Sequence, residues 1–222
     1  MKFHYLIVEG QTEQAFAETT LRPLAEARGV FIQVVVPKTG IRSSGSTARG
    51  GGSWKHTSRM AEELLRIRSA DKVGLLFDVY GSELTRDEEE LTGRELWQAV
   101  RDKARDKINH PDALTERLSV GPVLYEFETL VIAALASGTT RERAAVSQAA
   151  REAIAHAGGA AELVNGSVNT SPSHRVSEWW DRILGTRYEK IVDGPRILAA
   201  VPWHEIEQAC PTFAAWVDEF LR

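Results

Sequence analysis

The stretch HYLIVEGQTE, residues 4–13, decides the fold. Its apolar part, Phe3 to Val8, predicts a short buried β-strand that ends at the Gly10 turn. Glu9 closes this strand, and Glu13 follows on the first turn of a predicted helix, where the helix dipole favours a negative charge. Two carboxylates so close to the end of a buried strand are costly unless a positive charge lies beside them. The nature of that positive charge is the question that the sequence sets.

Strands and helices alternate along the first part of the chain. The first helix is predicted to run to about Arg28, where Gly29 ends it. Strands are predicted over 30–36 and 73–77, with a helix over roughly 55–68 between them. This βαβαβ order is typical of a parallel sheet with helices on both faces, so the predicted fold class is α/β.

The Gly/Ser-rich segment 39–54, TGIRSSGSTARGGGSW, has no apolar periodicity and predicts a mobile loop. A fourth strand running into a helix is predicted over 121–131, GPVLYEFETLV. Beyond it the chain is predicted to be mostly helical, over about 141–157, 173–184, 195–201 and 203–221.

Acidic residues close three of the predicted strands: Glu9, Asp78 and the pair Glu126 and Glu128. Parallel strands end at one edge of a sheet, which is where open α/β folds bind ligands. The strand prediction therefore brings these acids together, and Glu13 can reach the same edge. Glu126 and Glu128 point to one side if the strand continues through them, and they diverge if a helix has begun.

Four or five carboxylates at one edge repel each other unless protons or hard cations neutralise them. Clusters of oxygen ligands suit Mg²⁺ or Mn²⁺, and two such ions can activate a water against a phosphodiester. The plainer alternative is that each acid caps a helix or faces solvent. A lysine or arginine already neutralising these acids would remove the basis for a hydrolase and leave only the fold assignment.

The bulk composition sets further limits. The net charge of −4 gives no general basic surface for nucleic acid, so such binding needs a local patch. Cys210 is the only cysteine, which excludes a disulfide within the chain and favours the reducing cytoplasm. The first apolar run is too short for a signal peptide or a membrane span, so no membrane association is expected.

Two basic segments are candidates for phosphate or nucleic-acid binding. Lys190 and Arg196 are weaker candidates, because most isolated basic residues face water. The alternative for the Gly-rich segment is a solvated loop, and the alternative for 173–175 is that Ser and Pro there only start a helix. The candidates are Lys38, Arg42, Arg49 and Lys55 around the Gly-rich segment, and Ser173, His174 and Arg175 near a predicted helix start.

Five short motifs, in this order, resemble a small stand-alone Toprim-like family that is related to the Toprim domains of OLD-type nucleases. The motifs are VEGQTE (8–13), DVYG (78–81), YEFETLV (125–131), SPSHR (171–175) and CPTFAAW (210–216). The resemblance spans most of the chain. It implies a Toprim-like α/β core over 1–135 and a helical C-terminal extension over 136–222 that packs on the core.

The resemblance also implies roles for the acids. Glu9, Glu13 and Asp78 would be catalytic, and all three would hold Mg²⁺ or Mn²⁺ together with Glu126 and Glu128. One position departs from the pattern, because Tyr80 stands where the usual D-x-D has its second acid. That change puts catalysis with two metal ions in doubt.

The function that follows is a metal-dependent nuclease acting on DNA or RNA. The resemblance further implies an ATPase partner and a role in defence against phage. Two alternatives stay open: a Toprim-like binding module whose catalytic site is degraded, and a small-molecule phosphohydrolase.

Overall fold

The computed structural model of this chain describes residues 1–41, 47–49, 54–80, 82–85, 91–109, 111–165 and 170–222. The strands are β1 (Lys2–Val8), β2 (Val30–Val35), β3 (Lys38–Ile41), β4 (Thr47–Arg49), β5 (Lys72–Asp78) and β6 (Leu118–Val123). The helices are α1 (Gln11–Phe16), α2 (Arg22–Ala27), α3 (Trp54–Leu65), α4 (Gly93–Asp106), α5 (Glu128–Ser137), α6 (Ala144–His156), α7 (Pro172–Trp179), α8 (Lys190–Ala199), α9 (Trp203–Ala209) and α10 (Pro211–Phe220). Short 3₁₀ turns cover Asp112–Arg117 and Ala161–Leu163, and π-helical turns cover Ala17–Leu21 and Trp180–Leu184.

The main sheet has four strands in the order β2-β1-β5-β6, and all its pairings are parallel. The α/β prediction is therefore confirmed. Val8 pairs with Leu76 and Asp78 with Val123, so β1, β5 and β6 end side by side. This register sets where the acids that follow these strands can lie.

Several local predictions differ from the structure. Part of the predicted mobile loop forms the antiparallel pair β3–β4. The first helical stretch holds a π-helical turn and ends at Gly29 as predicted, with φ of 72°. The helix predicted to start at 195 begins instead at Lys190, with Pro195 inside it. Pro195 lacks a backbone N–H, which favours a helix start but does not require one.

Helix α10 lies on one face of the sheet because two strand glycines leave room for its aromatic rings. A Cβ atom on Gly121 would lie 2.0 Å from the ring of Trp216, and one on Gly74 would lie 2.6 Å from the ring of Phe220. The two rings are stacked, with centroids 5.7 Å apart. Glycine inside a strand often marks such a close approach.

Helix α3 covers the opposite face. Its Trp54 contacts Phe77 of β5, with ring centroids 5.6 Å apart, and successive strand residues point to opposite faces. Phe77 is three positions from Gly74, so the two residues point away from each other. Helices therefore flank the sheet on both faces. None of the helices in the described ranges combines the length and the apolar character needed to cross a membrane.

His4 of β1 is completely buried on the α10 face, with its ring 5.3 Å from that of Phe220. Neither ring nitrogen has a hydrogen-bond partner among the described residues. Burial, followed by the charge of Lys72, lowers the pKa of His4 from 6.5 to about 4. The folded protein therefore holds this histidine in its neutral form.

We expect Gly121→Ala to lower the free energy of unfolding by about 1–3 kcal/mol or more, because the new methyl group overlaps the Trp216 ring. Urea denaturation measures the change. Trp216→Leu, which is destabilising by itself, should make the added methyl group less costly. A double-mutant cycle showing no coupling between the two sites would contradict this packing.

We expect the free energy of unfolding to fall as the pH is lowered from about 6.5 to about 4. In this range His4 becomes protonated in the unfolded chain but stays neutral in the folded protein. The full contribution is as much as about 3 kcal/mol. Denaturation of His4→Phe across this range should show a weaker pH dependence than the wild type. The same change at exposed His204 serves as the control, and equal slopes for wild type and His4→Phe would refute the assignment.

Candidate active site

The ends of β1 and β5 bring Glu9 and Asp78 into contact. The backbone N–H of Asp78 donates to Oε2 of Glu9 across 3.3 Å. This contact follows directly from the parallel register, since Asp78 is the last residue of β5 and Glu9 is the first residue after β1. The sequence prediction of an acidic rim at this edge thus has a structural basis in neighbouring strands.

The chain turns sharply after β6 to place the next two acids. Tyr125 adopts a left-handed conformation with φ of 63°, which is unusual for a non-glycine residue, and the N–H of Tyr80 donates to its carbonyl across 2.7 Å. Helix α5 begins at Glu128. Of the two arrangements considered for Glu126 and Glu128, the diverging one is therefore present.

Glu126 and Glu128 make different contacts. Oε2 of Glu126 accepts a hydrogen bond from the backbone N–H of Ser173 across 2.7 Å, so Glu126 binds the start of α7. Glu128 is completely buried and points to Lys190. Only the second of these acids joins the ion pairs around Asp78.

Glu13 is buried on α1, in the stretch that opens the chain. Its Oε2 atom lies 3.2 Å from the position that a Cβ atom on Gly10 would take. The glycine thus gives the carboxylate room to fold back toward the end of β1. The charges of Glu9 and Lys190 both act on Glu13, which places it beside the same rim.

Lys190 is the cation that sequence reasoning missed. Its Nζ atom lies 3.1 Å from Oε2 of Glu128 and 3.6 Å from Oδ2 of Asp78. Helix α8 carries it there by packing against α1 and α5. The expectation that Lys190 faces water is wrong, although its side chain keeps 41% of its exposure.

This lysine answers part of the question raised by the sequence. It neutralises Asp78 and Glu128 in the manner that was expected to count against a hydrolase. It supplies one positive charge, whereas Glu9, Glu13, Asp78 and Glu128 supply four negative charges when ionised. We call these five residues the acidic cluster. With all four acids ionised, the cluster would carry a net charge of −3, so it needs protons or a further cation.

Burial raises the pKa values of three acids, Glu13, Asp78 and Glu128, and so favours their protonated forms. It raises the pKa of Asp78 well above the usual 3.8, although Lys190 acts in the opposite direction. Burial also raises the pKa values of Glu13 and Glu128, and Lys190 again opposes the change. The neighbouring Tyr188 hydroxyl likewise has a raised pKa, first from burial and then from the charge of Glu128.

The donor atoms of the cluster suit a hard divalent cation. Oδ1 of Asp78 and Oε1 of Glu128 are buried and have no hydrogen-bond partner among the described residues. In those same ranges, however, no three His, Cys, Asp or Glu side chains are grouped so as to hold a metal ion. Mg²⁺ commonly binds through one or two carboxylates together with water and a phosphate, so the chemistry of these donors is compatible with it, whereas the described side chains do not form a complete ligand set.

The first predicted basic segment is only partly described by the structure. Lys38 and Arg49 are backbone partners in the β3–β4 pair, but their side chains are not described, and Arg42 lies outside the described residues. Lys55 is exposed on the first turn of α3, whose Trp54 and Thr57 line a small cavity together with Glu9.

The second basic segment lies at the start of α7. The amide of Ser173 is engaged by Glu126, and Nε of Arg175 donates to the Thr170 carbonyl across 2.8 Å. His174 is exposed, and its amide faces the Ser171 hydroxyl. A phosphate at this helix start would have to share it with the Glu126 carboxylate.

Comparison with known proteins gives a family but no activity. Residues 8–221 match the family model described as "Domain of unknown function (DUF4276)". No curated protein matches the chain. A solved structure, the C-terminal region of the Burkholderia pseudomallei OLD protein, has 17% sequence identity and a TM-score of 0.31, over 98% of this chain and 94% of that chain. A likeness this weak carries no argument about function.

We expect Asp78→Asn to be more stable than the wild type at pH 8 in EDTA, because the folded state disfavours the ionised carboxylate. As the pH falls toward 4 the wild-type side chain becomes protonated, so the gain should shrink. Chemical denaturation at both pH values measures it, with exposed Asp181→Asn as the control. Lower stability of Asp78→Asn at pH 8 would show that the Lys190 pair outweighs the burial of Asp78.

Proposed function

We propose that this chain, which belongs to the family described as Domain of unknown function (DUF4276), is a divalent-cation-dependent nuclease that hydrolyses phosphodiester bonds of DNA or RNA. The observation that carries the proposal is the acidic cluster. Three distant segments bring four carboxylates to one sheet edge, and within the described ranges a single lysine offsets only part of their charge. Retaining buried, uncompensated carboxylates opposes stability, which is typical of a functional site.

The chain's residues suggest distinct roles. Asp78 and Glu128 would hold Mg²⁺ or Mn²⁺ through the oxygens that have no partner. Glu9, which accepts the Asp78 amide, would keep the ends of β1 and β5 in place and direct its other oxygen to the site. Glu13 has a raised pKa, which suits it to accept a proton from the attacking water near neutral pH. A bound cation would polarise that water and the phosphate oxygens.

Lys190 is suited to bind the phosphate of the substrate. Its ammonium is partly exposed while it contacts two acids of the cluster, so one side remains open to an incoming anion. Charge-assisted hydrogen bonds from lysine to phosphate oxygens are common at sites of phosphoryl chemistry. The mixture of carboxylates and one ammonium therefore supports a phosphodiester substrate, as does the Toprim-like resemblance of the motifs.

A second candidate function is a binding module without catalysis. It is favoured by Lys190, which already offsets the charge of Asp78 and Glu128, and by Tyr80, which replaces the second acid of D-x-D. In this hypothesis the ammonium has taken the place of the cation. A small-molecule phosphohydrolase would use the same edge, and substrate screening distinguishes it from a nuclease.

The resemblance alone supports the further proposals of an ATPase partner and a role in phage defence. An ATPase would deliver the substrate or release inhibition of a nuclease that is harmful when unregulated. Cleavage by the isolated chain, compared with cleavage in the presence of such an ATPase, tests whether activation is needed.

We expect the purified protein to cleave single-stranded or duplex DNA or RNA with Mn²⁺ or Mg²⁺ and to be inactive in EDTA. Glu9→Gln and Asp78→Asn should each reduce the rate by about a hundredfold or more, since both remove a carboxylate from the reacting edge. Glu18→Gln is the matched control, because Glu18 is exposed one to two turns beyond Glu13 and accepts from Gln14. Gel assays of initial rates measure the effect.

Lys190→Met separates the two candidate functions. In a nuclease it should lower the cleavage rate. In a binding module it should leave an inactive protein that binds Mn²⁺ more tightly than the wild type by calorimetry, because the competing ammonium is gone. Cleavage that persists in Asp78→Asn would contradict the placement of the active site at the acidic cluster, and no cleavage by the wild type with either cation would contradict the nuclease assignment.

A further inference from the structure

The residue that departs from the D-x-D pattern occupies an exposed position beside the acidic cluster. Tyr80 follows Asp78 by two residues and is 36% exposed, which is unusual for a large aromatic side chain. The same position in the pattern would hold an acid. The chain therefore presents a flat aromatic surface where a further carboxylate is missing.

Tyr80 is held firmly in this position. Its backbone N–H donates to the Tyr125 carbonyl, and its ring lies against that of Tyr125 with centroids 5.2 Å apart and planes at 58°. Tyr125 is itself buried, and its hydroxyl accepts a hydrogen bond from the Gly93 amide across 3.3 Å. The Asn165 side chain lies against the Tyr80 hydroxyl. Contacts at the backbone, the ring and the hydroxyl thus fix the exposed ring without covering it.

The two tyrosines also lie close to the acids along the chain. Asp78 precedes Tyr80 by two residues, and Glu128 follows Tyr125 by three. Asp78 ends β5, and the Tyr80 amide bonds the turn that leads into Glu128, so Tyr80 extends from the same sheet edge as the cluster. Aromatic side chains that are rigid and exposed beside a backbone-binding site are typical stacking platforms for unpaired bases.

The net charge of the chain favours one class of nucleic-acid substrate over another. The chain has a net charge of −4, so long-range attraction along a duplex backbone is weak. Stacking on an aromatic ring needs a base that is free of its partner, and it adds affinity without requiring more cations. A single strand satisfies both conditions better than a duplex does.

We propose that Tyr80, supported by Tyr125, is a base-stacking platform, and that the substrate of the acidic cluster is single-stranded nucleic acid. This inference rests on the proposed nuclease function, because it names the substrate class of that site. Tyr80 then acts as a specificity-determining residue, and its replacement of an acid changes what the edge binds.

The test is equilibrium binding by fluorescence anisotropy in EDTA, where no cation-dependent cleavage occurs. The probes are labelled oligothymidylate and oligouridylate of about 12 nucleotides, the matched duplex, and an abasic strand with the same phosphates. We expect Tyr80→Ala to weaken binding of the single strands by roughly 5- to 150-fold, corresponding to the stacking energy of one base. Tyr80→Phe should retain most of the affinity, and the wild type should bind the abasic strand as weakly as Tyr80→Ala binds the intact one.

Phe31→Ala is the matched control, since Phe31 lies on the edge strand β2, is 39% exposed and stacks on Phe3 of β1. It should bind the single strands like the wild type, and melting curves verify that every variant is folded.

Equal binding by wild type and Tyr80→Ala, equal affinity for abasic and intact strands, or tighter binding of the duplex would each overturn the inference. Cleavage of duplex with no dependence on Tyr80 would overturn it while leaving the nuclease intact. Tyr80-dependent binding of single strands without any cleavage would contradict the proposed nuclease function and support base stacking on Tyr80.

Discussion

The arrangement of this protein depends on one ion-pair network, in which a single ammonium lies between buried carboxylates at the rim of a parallel sheet. Lys190 contacts Asp78 and Glu128, and its charge also acts on Glu13. Removing charges from water is costly, and the attraction inside the protein repays that cost only when the groups are well paired. One lysine for four acids leaves the network incomplete, so the site is held together by the surrounding packing more than by its own charges.

That packing comes from the far side of the sheet as well as from the site. Helix α10 presses Trp216 and Phe220 onto the bare backbone at Gly121 and Gly74, which fixes β5 and β6 where they lead into the acidic rim. The strained Tyr125 turn then directs the chain into α5 at Glu128. The packed strands and the constrained turn therefore hold the acids close together despite their mutual repulsion.

The sequence predicts the sheet well because its signals are local. Short apolar runs such as Phe3 to Val8, separated by amphipathic stretches, determine both the strands and their parallel order. The presence of Glu9 and Asp78 at neighbouring strand ends follows from the same logic. Lys190 could not be predicted this way, because it contacts Glu128, which lies 62 residues away along the chain. Pro195 also suggested a later helix start, and that placed the lysine outside the helix that carries it. The mid-strand glycines were a signal for close packing, but which rings they accept depends on tertiary contacts.

The position of Lys190 bears on how this protein could evolve or be re-engineered. The acids come from the first 128 residues of the chain, whereas their counter-charge lies on α8, which follows α6 and α7. A fragment that kept the four acids without α8 would retain all of the repulsion and lose the counter-charge of Lys190. The strand ends that carry the acids therefore cannot be transferred to another protein without α8. Recombination with related chains would have to exchange the strands and the late helix together, which ties the two ends of the chain into a single heritable unit.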